Sequence, residues 1–168
     1  MPSRFGQKMK VWRTIDNFFT EEQCQDILYD KSFHKFVSQK FDIKNALWYQ
    51  KKIMQEILDG FVDLSETVQI EQWPHNPAIL PLPGTHYDKD EKKNEVEDEL
   101  SFPLCSAIVY LKIEDLEGAH LYLVEDNVII KPETGKLVLL APGVLHSVTP
   151  YVSGKRSSMN LNFWHYYL

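Results

Sequence analysis

The sequence predicts a mainly β domain with helices towards its N-terminal end, and two observations carry that expectation. From residue 66 onward the chain breaks into short β-rich segments, "ETVQIEQW", "CSAIVYLKI", "AHLYLV", "NVIIK", "KLVLLAP" and "HSVTPYV", while "RSSMNLNFWHYY" alternates polar and apolar residues. Turn signals separate many of them, among them Glu117-Gly118, Asp126-Asn127, Thr134-Gly135, Pro142-Gly143 and Ser153-Gly154. Many short strands at this spacing predict a β-sandwich or barrel with two helices packed on one face.

The helices come first in the chain. Thr20 ahead of "EEQCQDILYD" offers an N-cap, acidic residues in the first turn and Gln23 at the capping-box position. In "DIKNALWYQKKIMQEILDGF", Ile43, Leu47, Gln50, Met54, Ile57 and Phe61 recur at alternating steps of four and three, a largely apolar core-facing stripe with Gly60 as its stop. Residues 89–99, "KDEKKNEVEDE", form the one low-complexity piece and predict a solvated loop, with residues 89–101 mobile or serving as a lid. No repeat or linker divides the chain, so a single domain over residues 1–168 is expected, with helices within about 20–61 and the β core over about 66–166.

Composition narrows the function. A chain that is 43% apolar and 25% charged is globular rather than disordered. A net charge of −6 argues against a broad phosphate-binding face, so a nucleic-acid partner is not expected. Cys24 and Cys105 cannot build a cysteine-based zinc site and give little reason for a disulfide. The start "MPSRFGQKMKVW" has no apolar stretch of signal-peptide length, and nowhere do 18 apolar residues run together. A cytoplasmic protein with no membrane partner is the expectation; oligomeric state is left open.

The chemistry centres on "GTHYDKD". With 6 His and 11 Asp, chance alone produces about 0.4 His-x-Asp triplets, so His86 and Asp88 need company. On a strand, residues two apart share a face, so both can reach one cation while Tyr87 points away. His146, following the apolar strand and Pro-Gly of "LVLLAPGVLH", supplies a third ligand. Two imidazoles and a carboxylate on one face of an octahedral ion suit a non-haem Fe(II) that must also bind a cosubstrate and O₂, although catalytic zinc uses the same donors. Arg156 and Ser158 share the face of a later strand. A guanidinium is built for bidentate capture of a carboxylate, and a hydroxyl two residues on adds a donor. 2-Oxoglutarate, with one carboxylate for a metal and another for Arg156, fits that pattern.

In this order and spacing, His86-x-Asp88, His146 and Arg156-x-Ser158 resemble the 2-oxoglutarate/Fe(II)-dependent dioxygenases, and among them the prolyl 4-hydroxylase-like branch. "VWRTIDNFFTEEQCQDI", "SAIVYLKIEDLEGAHLYL" and "VIIKPETGKLVLLAPGVLHSVTPYVSGKRSSMNLNFW" extend the likeness over most of the chain. The resemblance implies a double-stranded β-helix (jelly-roll) core. It also implies an enzyme that couples oxidative decarboxylation of 2-oxoglutarate to hydroxylation of a C–H bond, with ascorbate as a reductant. By position, Tyr110 would offer its hydroxyl to the distal carboxylate and Leu121 would pack on the cosubstrate chain. The sequence departs from the family at Trp73, where a tyrosine is frequent, at Ala119 in place of a second turn glycine, and at Asn162, where an aromatic is common and Trp164 follows.

The expected substrate is a protein or peptide side chain such as proline; a free amino acid, another small molecule or a nucleobase is the alternative within the family. A zinc hydrolase on a similar barrel would need a general base but no buried arginine. A non-catalytic jelly-roll binding module would not need to retain the triad. His34, His75 and His165 read as surface or satisfied polar groups, and His120, beside the turn that borders the family's site, as a candidate substrate contact.

Overall fold

The computed structural model describes residues 11–80, 82 and 84–168. In chain order the elements are β1 (Trp12–Ile15), α1 (Glu21–Tyr29), β2 (Gln39–Asp42), α2 (Trp48–Leu58), β3 (Gln69–His75), α3 (Glu91–Glu97), β4 (Cys105–Gly118), β5 (Leu121–Leu123), β6 (Val128–Ile130), β7 (Leu137–Leu140), β8 (His146–Val148) and β9 (Tyr151–Trp164).

The strands form two antiparallel sheets of the expected jelly-roll class: a major sheet ordered β1-β7-β4-β9-β3-β2 and a minor one ordered β6-β5-β8. Alternation along the major sheet separates two cores. Ile70, Ala107, Val109, Leu139, Leu161 and Phe163 face outward and pack with Cys24 and Ile27 of α1 and with Tyr49, Ile53 and Ile57 of α2. Ile108, Tyr110, Val138 and Leu140 face inward, against Leu121, Leu123 and Ile130 of the minor sheet. Strands β1 and β2 join the major sheet from outside the expected 66–166 span.

Helix α1 starts as expected: the Thr20 hydroxyl accepts from the Gln23 amide at 3.1 Å, and Gln23 Oε1 accepts from the Thr20 amide at 3.0 Å. The second helix is shorter than the apolar stripe. Ile43 lies in a separate 3₁₀ turn over Ile43–Asn45, initiated by the Asp42 side chain, and α2 begins only at Trp48. Its buried residues are therefore Tyr49, Gln50, Ile53 and Ile57, while Leu47 and Met54 sit at the edge of the core. Gln50 binds inward: its Nε2 donates to Gln72 Oε1 of β3 at 3.0 Å, tying the helix to the sheet. The helix ends at Leu58 with Asp59 in a right-handed conformation, so Gly60 supplies no left-handed stop.

Both cysteines are free and buried, and burial pushes their thiols up, to about 11 for Cys24 and about 12 for Cys105; they are packing groups, not nucleophiles. Among the described residues no helix is long and apolar enough to cross a membrane.

Residues 89–99 correct the sequence reading. Where a loop was expected, α3 forms, because the run contains its own cap and docks on the C-terminus. Asp90 Oδ1 accepts from the Lys93 amide at 3.0 Å, while its Oδ2 accepts from the Tyr166 hydroxyl at 2.9 Å. Lys93 Nζ lies over the Tyr166 ring, 4.9 Å from its centroid, and Asp98 closes the helix in the left-handed region at φ 51°. Removing both bonds with Asp90→Ala should speed amide hydrogen exchange over Lys93–Glu97 and lower stability by about 0.5–2 kcal/mol. Unchanged exchange there would show that Asp90 does not hold the helix.

Candidate active site

Strand β8 opens with His146, placed by the Pro142-Gly143 turn that leaves β7. Gly143 has φ +77°, and a β-carbon there would approach the Phe102 ring to 3.2 Å, so the turn needs glycine. On one side β8 pairs with β5, Leu123 opposite His146. On the other it pairs, among the described residues, at His86 alone: the His86 amide donates to the His146 carbonyl at 2.9 Å, and the His146 amide returns the bond at 3.0 Å. Directly paired residues share a face, so the two rings stand 4.5 Å apart by centroid.

Asp88 completes the group. Its Oδ1 lies 3.4 Å from His86 Nε2 and 3.6 Å from His146 Nε2, and one donor atom from each residue falls within 4.8 Å of the others. Both Nδ1 atoms are turned to backbone carbonyls, His86 to Gly84 at 2.6 Å and His146 to Val144 at 2.8 Å. A carbonyl can only accept, so each Nδ1 carries the proton and each Nε2 presents a lone pair to the shared space. Among the described residues, His146 Nε2 and Asp88 Oδ2 are buried without a hydrogen-bond partner. Burial pushes the His146 imidazole down, keeping it neutral. Burial opposes ionisation of Asp88, but the neighbouring His86 and His146 outweigh it and hold the carboxyl below its ordinary range; Asp88 in turn raises His86. Two neutral-capable imidazoles and a carboxylate with vacant lone pairs are a cation's donor set, and the three residues fit a divalent metal.

A second group of partnerless atoms lies further along the interior face. Arg156 on β9 is 3% exposed, and among the described residues its Nε and Nη1 have no hydrogen-bond partner; neither does the Tyr110 hydroxyl. The guanidinium carbon is 5.4 Å from the Tyr110 ring centroid. Burial raises the Tyr110 phenol, with Arg156 opposing, so it stays a donor. Ser158 pairs across the ladder with Tyr110 but is turned elsewhere: its hydroxyl donates to the His75 carbonyl, at a long 3.5 Å. Leu121 is buried in the inner core with Tyr110.

Three further residues answer the departures seen in the sequence. Asn162 is buried, donating to Glu71 Oε1 at 3.1 Å and accepting from the Ser106 hydroxyl at 2.9 Å; Trp164 Nε1 donates to the same Glu71 oxygen at 3.3 Å. A polar network thus occupies the interior where an aromatic was expected. Trp73 keeps 40% of its surface exposed. His120 lines a surface cavity with Ile113, Lys131 and Thr134 that none of the triad residues lines. His34 and His165 are exposed, as expected.

His75 does not keep its surface reading. Strand β3 runs through Pro74 and pairs His75 with Ser158, on the interior face and beside Arg156. Proline within a run usually ends a strand, but β2 pairs only with Gln69–Gln72, so beyond Gln72 the outer edge asks for no N–H from Pro74. The phase Glu71, Trp73, His75 was the available signal, obscured by that proline.

No protein-family model matches the sequence, and no curated protein matches it either. Solved structures do. The viral collagen prolyl hydroxylase of Paramecium bursaria Chlorella virus-1, in a truncated form, aligns with a TM-score of 0.66 at 20% identity over 92% of this chain and 89% of that one. A Pseudomonas putida prolyl-4-hydroxylase aligns with 0.62 at 18% identity over 92% of both. An oxidoreductase of the 2OG-Fe(II) oxygenase family from Burkholderia pseudomallei aligns with 0.53 at 11% identity over 93% and 86%. The chain has the fold of these oxygenases.

The surroundings of His75 have a measurable consequence. Burial, then the Arg156 charge, push its imidazole from 6.5 down to about 4, with Asp88 opposing. The unfolded chain therefore binds a proton near pH 6.5 that the folded chain refuses until about pH 4. Stability from this group is intact above pH 6.5 and falls as the pH drops from there towards 4. His75→Gln cannot titrate, so thermal melts of the metal-free variant should lose less stability than the parent across that window. An equally steep acid limb would show that His75 is not held neutral.

Proposed function

We propose that the protein is an Fe(II)- and 2-oxoglutarate-dependent oxygenase that hydroxylates a C–H bond, acting on a protein or peptide side chain such as proline. The observation that carries this reading is two sets of buried groups that find no hydrogen-bond partner among the described residues: lone pairs at His146 and Asp88, and donors at Arg156 and Tyr110. The first set calls for a cation. The second is a buried cation with a neutral donor beside it, which costs several kcal/mol unless an anion pairs with it. A molecule with a metal-binding end and a distal carboxylate answers both, and 2-oxoglutarate has that form. A hydrolase needs no such anion, so the hydrolase reading leaves Arg156 unexplained.

The residues divide the work. His86, Asp88 and His146 would hold Fe(II), their Nδ1–carbonyl bonds fixing the rings so that Nε2 faces the ion. Arg156 and Tyr110 would hold the distal carboxylate and orient the cosubstrate. Leu121, buried beside Tyr110 in the inner apolar core, would pack on the cosubstrate chain. Fe(II) held there would supply the redox chemistry by which O₂, 2-oxoglutarate and a substrate C–H bond give succinate, CO₂ and the hydroxylated product. Support for a peptide substrate comes from the apolar groove of Phe36, Trp73, Pro74 and Leu80 bordering His75, and from the prolyl hydroxylases that share the fold.

Anaerobic titration tests the assignment. The parent should bind one Fe(II), then 2-oxoglutarate, giving a visible metal-to-ligand charge-transfer band. Asp88→Ala should lose the metal; a variant that still binds Fe(II) as tightly would remove Asp88 from the site. Arg156→Ala should keep Fe(II) but weaken 2-oxoglutarate by on the order of 2–5 kcal/mol, much of it the penalty of a buried unpaired carboxylate. Parent-like cosubstrate affinity in that variant would refute the cosubstrate reading.

A further inference from the structure

The interior face holds a row that the proposed roles leave incomplete. Ser158 on β9 is paired on one side with Tyr110 of β4 and on the other with His75 of β3. Residues directly opposite in an antiparallel ladder project to the same side, so His75, Ser158 and Tyr110 stand abreast on three adjacent strands. The middle residue is small and its neighbours carry rings. With strands about 4.8 Å apart, the row makes a slot with Ser158 as its floor and His75 and Tyr110 as its walls. Arg156, two residues along β9, shares that face and closes one end.

Counting hydrogen bonds shows what the slot lacks. A carboxylate offers about four lone-pair sites. Arg156 Nε and Nη1 can meet two and the Tyr110 hydroxyl a third, since all three are buried and without a hydrogen-bond partner among the described residues. Ser158 is the obvious fourth, but its hydroxyl is directed to the His75 carbonyl. On the opposite wall stands the His75 ring, which makes no hydrogen bond among the described residues; only its carbonyl is engaged. A neutral imidazole carries one N–H to donate and brings no second positive charge next to Arg156.

Resting on the proposed function above, we infer that His75 is a further cosubstrate-binding residue, donating a hydrogen bond to the distal carboxylate of 2-oxoglutarate across the slot from Tyr110. It supplies a contact that neither the triad nor the Arg156-x-Ser158 pattern provides.

The test is isothermal titration of the Mn(II)-loaded protein with 2-oxoglutarate, with Mn(II) affinity followed separately by electron paramagnetic resonance. His75→Ala should weaken 2-oxoglutarate about tenfold or more, the scale of a hydrogen bond to a charged group, and leave Mn(II) affinity unchanged. His75→Gln, which restores an N–H donor, should recover part of the loss while melting like the parent above pH 6.5, where His75 is uncharged in both the folded and the unfolded chain. Unchanged 2-oxoglutarate affinity in His75→Ala, a parallel loss of Mn(II), or no recovery in His75→Gln would each overturn the inference. A parent protein that binds Mn(II) but not 2-oxoglutarate would overturn the proposed function itself, and this inference with it.

Discussion

Everything else in the molecule depends on the long antiparallel ladder between β4 and β9. Each strand is 14 residues, and their pairing runs from Cys105–Phe163 to Gly118–Tyr151. Alternation along this ladder assigns each side chain to one of two environments. Ala107, Val109, Leu161 and Phe163 go to the helix-packed core, while Ser106, Tyr110, Arg156, Ser158 and Asn162 go to the interior face. A slip of one residue would send Arg156 towards the helices and Phe163 to the interior face, so the ladder's register decides which groups reach the candidate site.

The interior face is a costly place for such groups. A native core avoids partnerless polar atoms, yet among the described residues Arg156, Tyr110, Asp88 and His146 all leave atoms unpaired. The outer core offsets this: Ile27, Ile53, Ile57 and Ile70 are fully buried, each contributing about 1.5–3 kcal/mol by burial. The chain thus keeps its apolar packing on one side of the major sheet and its unmet hydrogen-bonding capacity on the other. Ligands that meet that capacity stabilise the folded state in proportion to their affinity.

Much of this was legible in the sequence because the signals were local. The period of two predicts that His86 and Asp88 act together and that Arg156 and Ser158 share a face, and the capping box at Thr20 needs only four residues. What escaped depends on distant partners. Asp90 caps α3, but the helix is also held by Tyr166, far along the chain. The stripe across α2 is displaced because the Asp42-capped turn separates Ile43 from the helix. The Ser158 hydroxyl turns towards His75 because β3 extends past a proline, which no pattern within β9 reveals. His75 was missed for the same reason.

The contact between His86 and His146 has a further consequence. Two backbone hydrogen bonds, forming an isolated bridge, are the ladder that joins the His86–Asp88 segment to the minor sheet. With both cysteines free, the chain has no covalent link between its distant parts. A cation gripped by the three side chains would fasten this segment to β8 as a clasp, closing a long loop that two amide bonds hold only lightly. Such an ion would pin the His86–Asp88 segment to β8, so that emptying the site would loosen this edge of the minor sheet.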